Sequence, residues 1–551
     1  MKRRTVIKSL AAGLPAAWMT NPFDRNSFVA NMHANEPLLK GPFEATWDSL
    51  KQYEVPEWFR DAKFGMWAHW GPQCQPEYGD WYARSMYIEG SRDYKYHVEK
   101  YGHPSKFGFK DVIHEWKAEN WNPEELVALY ANAGAKYFVA LANHHDNFDN
   151  YNSKYQAWNS TKIGPMKDLI GGWEKAAGKF GLRFGVSVHA AHASLFYEPS
   201  QSADKTGAMA GIPYDGTLQK SGGKGQWWDG LDPQELYEQR KPLINENYDI
   251  GKQWAWGNGA IVPSKKYCDK FFNRTIDLIN KYNPDLVYFD DTALPLWPIS
   301  DAGLRIAAHF YNQNISKNGK LEAVLTGKIL DAEQRKCMVW DIERGQSNDI
   351  QPLHWQTDTC IGNWHYDRPL YDRHGYKTAK TVIHTLIDIV SKNGNLLLNI
   401  PVRGDGTIDE DERKVVAGIT EWMKVNSEGI YSTRPWKIFG EGPATEANAK
   451  LGAQNFNEGK GKPFTAEDIR FTTKDNVMYA FALGWPDDQQ IVIKSLSASS
   501  PWLNGKKITG VSLLGHQGAL EWTQTADEFK VKMPLQPPSD HAAVLKITGI
   551  I

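Results

Sequence analysis

Leu286-Val287-Tyr288-Phe289-Asp290-Asp291 is the stretch on which the fold turns. Four apolar residues in succession read as a strand buried on both faces. A carboxylate directly after such a run is costly unless the chain has left the core and the acid has found partners. Outward from this stretch the pattern recurs. Phe64 to His69, Lys136 to Ala142 and Arg183 to His189 precede it, and Ala323 to Thr326, Met338 to Ile342, Thr359 to Ile361 and Asn395 to Ile400 follow. Longer helical or loop stretches separate these runs, as in parallel βαβ units. Eight of them predict an α/β chain built as a (β/α)₈ barrel.

The connecting helices carry their own signals. Asn122 caps, Pro123 takes the first turn, Leu126, Val127, Leu129 and Tyr130 follow, and Gly134 closes. A second helix places Val382, Leu386, Ile389 and Val390 on one face before Asn393-Gly394 stops it. Glu343 to Gln356 is polar and has no helical period, which predicts a long functional loop in the sixth unit. Beyond a helix ending near Glu428, short strand patterns at 476–485, 490–496, 508–514, 521–533 and 542–547 predict a small antiparallel β domain. Residues 441–462, rich in Gly, Ala and Asn, read as a surface excursion. The expected division is 1–30 export signal and leader, 31–430 barrel, and 431–551 β domain.

Composition narrows the chemistry. Among 551 residues the net charge is −2, with no basic run in the body of the chain, so the electrostatic footprint of nucleic-acid binding is missing. A neutral ligand fits better. The 23 Trp and 24 Tyr suit both core packing and the apolar faces of sugars. Cys74, Cys268, Cys337 and Cys360 lack the short paired spacing of zinc sites and read as mostly buried thiols, with one or two disulfides open to an exported protein. Lys2, Arg3 and Arg4 precede an apolar stretch from Val6 to Met19, an export signal of twin-arginine or Sec type leading to the periplasm or outside the cell. No other stretch approaches the ~18 to 20 apolar residues of a membrane span.

Barrels of this kind build their sites where strands end. Strand one ends in Ala68-His69-Trp70-Gly71, strand two in Asn143-His144-His145-Asp146, strand three in His189, strand four in Asp290-Asp291, and strand six in Asp341-Ile342-Glu343-Arg344. His144, His145 and Asp146 could ligate a metal only if the strand has already ended, since neighbours on a strand face opposite ways. Sugar hydroxyls suit the imidazoles better, and neither metal nor cofactor is expected. Asp290 faces a pocket while Asp291 caps the next helix or serves the loop. A retaining glycosidase needs a second carboxyl group ~5 to 5.5 Å from its nucleophile, protonated at the outset. Glu343 fits by position; the alternative is a surface Glu paired with Arg344.

These segments together resemble the α-L-fucosidase family of glycoside hydrolases, from about Val55 to Trp436. Trp58-Phe59-Arg60-Asp61-Ala62-Lys63-Phe64-Gly65 with His69-Trp70-Gly71 is similar to the family's opening strand, and Gly79-Asp80-Trp81-Tyr82 to its Glu-Trp-Tyr segment. His144-His145-Asp146 with Phe148 resembles its His-His-Asp-Gly-Phe motif, and Asn393 to Asn399 and Asn426 to Tyr431 its closing motifs. The resemblance implies a retaining exo-glycosidase acting on an oligo- or polysaccharide, with a C-terminal β-sandwich. It implies Asp290 as nucleophile and Glu343 as acid/base, with Glu322 and Glu333 in reserve. For sugar binding it implies His69, Asp80, Trp81, His144, His145, His189, Tyr288, Lys328 and Trp364.

The sequence also departs from that pattern. Asp80 stands for the usual Glu, Asn143 and Asn147 for the usual Lys and Gly, Lys328 for an Arg, and His189 and His192 lie where a Tyr-rich stretch is common. L-Galactose is L-fucose with a hydroxyl at C6, which an apolar pocket rejects by only about a hundredfold. An exo-α-L-galactosidase acting on algal galactan is therefore the second expectation. A non-catalytic carbohydrate-binding protein and a metal-dependent hydrolase are the other rivals.

Overall fold

The computed structural model describes residues 36–238, 262–446 and 456–551. The expected export signal and part of the 441–462 excursion lie outside the described residues. Eight parallel strands, β1 (Phe64–Ala68), β2 (Tyr137–Asn143), β3 (Arg183–Val188), β4 (Leu286–Thr292), β5 (Val324–Lys328), β6 (Val339–Glu343), β7 (Trp355–Cys360) and β8 (Gly394–Asn399), pair in sequence order, and β8 returns to β1 to close a barrel. Closure brings backbones close. A Cβ on Gly65 of β1 would meet the Tyr137 ring of β2 at 2.3 Å, so only glycine fits there.

The expected eight strands are all present, most with boundaries within two residues of those expected. β7 begins at Trp355, four residues before the expected start, and β5 runs on to Lys328. The walls are not evenly laced. β4 meets β5 with a register shift between Tyr288 and Thr292, and β5 meets β6 through only two residue pairs, Thr326 with Val339 and Gly327 with Trp340.

Helices α1 (Pro123–Asn132), α2 (Leu169–Lys179), α3 (Lys265–Tyr282), α4 (Ala302–Asn318), α5 (Ala379–Ser391) and α6 (Glu410–Asn426) surround the strands. Asn122 caps α1 by accepting the Glu125 amide at 3.2 Å, as its sequence predicts. Asp409 and Glu412 close a reciprocal capping box on α6. Residues 344–354, between β6 and β7, hold no helix, in keeping with the expected loop. After β3 the chain runs through short helical turns and packs Phe196 against the Trp81 and His145 rings at the barrel mouth.

The C-terminal part holds β9 (Arg434–Glu441), β10 (Ile469–Lys474), β11 (Val477–Ala482), β12 (Gln490–Ile493), β13 (Gly510–Leu513), β14 (Trp522–Gln524), β15 (Phe529–Lys532) and β16 (Ala543–Thr548). They form a five-stranded sheet, β13-β16-β11-β10-β9, and a three-stranded sheet, β12-β15-β14, around Phe471, Ile493, Phe529 and Leu545. β9 and β10 were not among the expected strands, and the expected run at 521–533 splits into β14 and β15. Buried charges join this domain to the barrel: Asp388 on α5 accepts from Lys392 Nζ and from Arg470 Nε of β10, each at 2.6 Å. All four cysteines are buried free thiols. Among the described residues no helix is long and apolar enough to cross a membrane.

Candidate active site

Asp290 leaves the apolar wall of β4 where that strand loses register with β5, and its side chain is 20% exposed at the C-terminal mouth. Oδ1 lies 2.8 Å from Lys328 Nζ, at the end of β5, while Oδ2 lies 3.1 Å from His189 Nδ1 and 3.4 Å from His145 Nε2. Burial on its own would raise the carboxyl's pKa. Lys328, His189 and His145 together overcome that and hold it well below the usual carboxylate range, so Asp290 is ionised.

Lys328 has a second partner at the mouth, Glu343 Oε2 at 3.0 Å. Two carboxylates that share one ammonium at these lengths have oxygens within about 6 Å of each other, compatible with the ~5 to 5.5 Å of a nucleophile and acid pair. Arg344 follows Glu343 directly and is one of the charges that act on it. Its guanidinium lies over the Trp364 ring, 4.8 Å from the centroid, and donates to the Gly362 carbonyl at 2.7 Å.

Below Lys328 the barrel interior carries two further acids, Asp341, which the sequence places at a strand end without a role in the site, and Asp358, which it does not single out. Asp358 of β7 lies 3.6 Å from Lys328 Nζ and accepts from the Tyr288 hydroxyl at 2.9 Å. Asp341 of β6 hydrogen-bonds to Asp358 and accepts from Gln356 Nε2 at 2.8 Å. Burial, and then the neighbouring Asp358, drive the Asp341 carboxyl well above its usual range, so this pair retains a proton. Burial by itself would lower the Lys328 pKa; the surrounding carboxylates, Asp290 first, raise it well above its ordinary value.

The opposite wall is made of imidazoles and indoles. His69 Nδ1 and Nε2 are both buried without a hydrogen-bond partner among the described residues. Its ring packs on His144, His189 and His365 with centroids 4.8 to 5.0 Å apart. Burial pushes His69 and His144 well below the ordinary histidine pKa and His189 down to about 4, so these rings are neutral near pH 7. A neutral imidazole offers one donor and one acceptor, which matches a sugar hydroxyl. The Trp81 ring stacks on His145 at 5.5 Å, and its backbone is left-handed at φ 68°. Trp364 lies over Trp67 at 5.4 Å. Asn399, last in β8, accepts the His69 amide at 2.8 Å and donates to the Trp364 carbonyl at 3.0 Å, locking two walls together.

Every sugar-binding candidate read from the sequence gathers here, and the departures from the family pattern have their own roles. Asp80 turns to the wall, where Oδ1 accepts the His365 amide at 2.9 Å. Asn143 accepts the amides of His189 and Ala190, both at 3.2 Å, and so positions His189. Asn147 adopts φ 63°, a left-handed conformation in which Asn can replace Gly, and its side chain bonds Arg274 and the Leu236 carbonyl. Asp291 caps no helix; it accepts the Thr292 amide at 2.7 Å and faces His192 Nε2 at 3.1 Å.

The reserve acids lie elsewhere. Glu322 precedes β5 and pairs with Arg183 and Lys320, and Glu333 pairs with Lys51 and Lys336. Among the described residues Asp146 belongs to no group of converging donors. The groups that do converge are His69, His144 and His189, and His145, His189 and Asp290, each set within 4.8 Å.

A closed parallel barrel whose mouth joins two carboxylates through one lysine, walled by neutral imidazoles and indoles, defines a barrel glycoside hydrolase. The chain belongs to the α-L-fucosidase family: the α-L-fucosidase profile matches residues 30–428, and that of the α-L-fucosidase C-terminal domain matches residues 462–548. Among curated relatives, tissue alpha-L-fucosidase of Rattus norvegicus is 26% identical over 518 residues, covering 92% of each chain. Plasma alpha-L-fucosidase of Homo sapiens is 27% identical over 532 residues, covering 92% of this chain and 93% of its own. The crystal structure of Thermotoga maritima alpha-fucosidase superposes with a TM-score of 0.64 at 25% identity, covering 92% of this chain and all of that one. Its complex with fucose gives a TM-score of 0.63 at 24% identity, a likeness of fold.

Proposed function

We propose that the protein is a retaining exo-α-L-fucosidase, releasing a terminal α-L-sugar from an oligo- or polysaccharide by double displacement. Asp290 attacks the anomeric carbon while Glu343 protonates the departing oxygen; Glu343 then takes a proton from water, which cleaves the glycosyl ester. The observation that carries this reading is the ammonium of Lys328 held between Asp290 at 2.8 Å and Glu343 at 3.0 Å. His69, His144, His145 and Trp81 bind the sugar in this reading. Asp290→Gly tests it. The variant should lose turnover of an aryl α-L-fucoside, and azide should restore some of it as a glycosyl azide of inverted configuration. Unchanged turnover in the variant overturns the proposal.

One observation favours α-L-galactosides as a second substrate class. His189 Nε2 is buried beside Asp290 without a hydrogen-bond partner among the described residues, leaving a polar atom on the pocket wall. A site that bonds a substrate hydroxyl discriminates strongly against the analogue lacking it. Comparing kcat/KM on aryl α-L-galactoside and aryl α-L-fucoside decides between them. His189→Phe should shift the ratio towards fucoside if this nitrogen meets the C6 hydroxyl.

A further inference from the structure

Between β9 and β10 of the C-terminal sheet, residues 456–460 return to the barrel and bind the loop that follows Glu343. The Glu458 amide donates to the Arg344 carbonyl at 2.9 Å, and Asn457 exchanges two bonds with the Gln346 backbone, at 2.8 and 3.0 Å. The Glu458 carboxylate accepts from Thr359 Oγ1 on β7 at 2.7 Å and from Lys377 Nζ, and its other oxygen lies 3.5 Å from Arg344 Nη1. Burial alone would raise this carboxyl, but Lys377 and Arg344 keep it below its usual range, so the clamp is charged. Arg344 needs such holding. It sits at φ 43°, a conformation costly for a side-chain-bearing residue, immediately after Glu343, while its guanidinium covers Trp364.

We infer that Glu458 is a positioning residue for Glu343: a segment of the C-terminal domain fixes Arg344, and through it the direction in which the preceding carboxyl group and the Trp364 wall face the bound sugar. Glu458 touches neither sugar nor leaving group in this scheme. The inference rests on the acid/base role proposed for Glu343.

General acid help matters for a leaving group that departs as a strong base and hardly at all for one that departs as a stable anion. Glu458→Gln should therefore lower kcat/KM on an alkyl or disaccharide α-L-fucoside by about tenfold or more, while a dinitrophenyl α-L-fucoside changes by less than about twofold. Glu458→Asp should recover part of the loss. Asn457→Ala, which keeps every charge, should show a smaller loss with the same leaving-group dependence. Equal losses on both substrates, or none on either, overturn the inference. Glu343→Ala, measured alongside, separates the two layers. If it shows leaving-group dependence and the Glu458 variant does not, only the inference fails. If Glu343→Ala shows none, the acid/base reading fails and the inference with it.

Discussion

Replacing Lys328 with methionine keeps an unbranched side chain, one atom shorter, and removes the only ammonium that the described structure places between Asp290 and Glu343. Asp290 then loses a cation 2.8 Å from its oxygen and keeps His189 and His145. A unit pair with charge centres about 4 Å apart, at the effective dielectric suited to protein sites, is worth about 4 kcal/mol, or about three pH units of carboxyl affinity for a proton. Partial compensation by the two imidazoles reduces the expected rise to about two. The sign follows from the role. In the proposed mechanism Asp290 attacks as the carboxylate, so a higher pKa moves the acid limb of kcat/KM to higher pH. The assay is the pH profile of kcat/KM on an aryl α-L-fucoside for wild type, Lys328→Met and Lys328→Arg. The methionine variant should need a pH about two units higher for the same fraction of its maximum, and the arginine variant, which keeps the charge, should stay close to wild type. An unmoved acid limb in Lys328→Met, or the same displacement in Lys328→Arg, refutes the electrostatic argument.

The remaining predictions concern stability. Asp388→Ala strands two buried cations, Lys392 and Arg470, at the junction of α5 and β10, and should cost about 3 to 5 kcal/mol in denaturant unfolding; a loss below about 1 kcal/mol would show that the junction does not depend on this triad. His384, whose pKa burial lowers to about 4, contributes stability that is present above the unfolded value near 6.5 and lost as pH falls towards 4. His384→Gln retains a donor for the His541 carbonyl and should flatten the decline in stability between those pH values by up to roughly 3 kcal/mol; parallel curves for variant and wild type contradict this.

The barrel was legible because seven of its strands are marked by apolar runs, and the eighth shows why the rule has limits. β7 opens with Trp355-Gln356-Thr357-Asp358, whose polar side chains are buried and bonded: Gln356 to Tyr137 and Asp341, Thr357 to the Gly345 carbonyl, Asp358 to Tyr288. A reading that equates burial with apolar residues starts the strand too late. The same blind spot hid Asp358, whereas Asp341, inside the apolar run 338–342, is named at a strand end but given no role in the site. Asp290 and the histidines were found because strand ends are where such residues are sought. His365 and Gln73 were not, since nothing local distinguishes a loop residue that meets His69 or His144 only after the barrel closes. Arg344 is expected as a partner for Glu343; its own left-handed backbone also carries its guanidinium to Trp364 and Glu458, contacts that nothing local in the sequence marks. β9 and β10 went unseen because their sequences, Arg434–Glu441 and Ile469–Lys474, mix charge and threonine with few apolar residues.

The sparse lacing of β4, β5 and β6 has a mechanical consequence. In a well-paired sheet, backbone bonds fix the separation of side chains on neighbouring strands as a ruler would. Here the register shift after Tyr288 and the two residue pairs between β5 and β6 leave the stretch carrying both carboxylates with few such bonds. What spans the gap is the four-carbon arm of Lys328, closer to a spring than a ruler. In the proposed double displacement, negative charge passes from Asp290 into a bond with the sugar, and the Lys328 ammonium is then attracted less to that side and more towards Glu343.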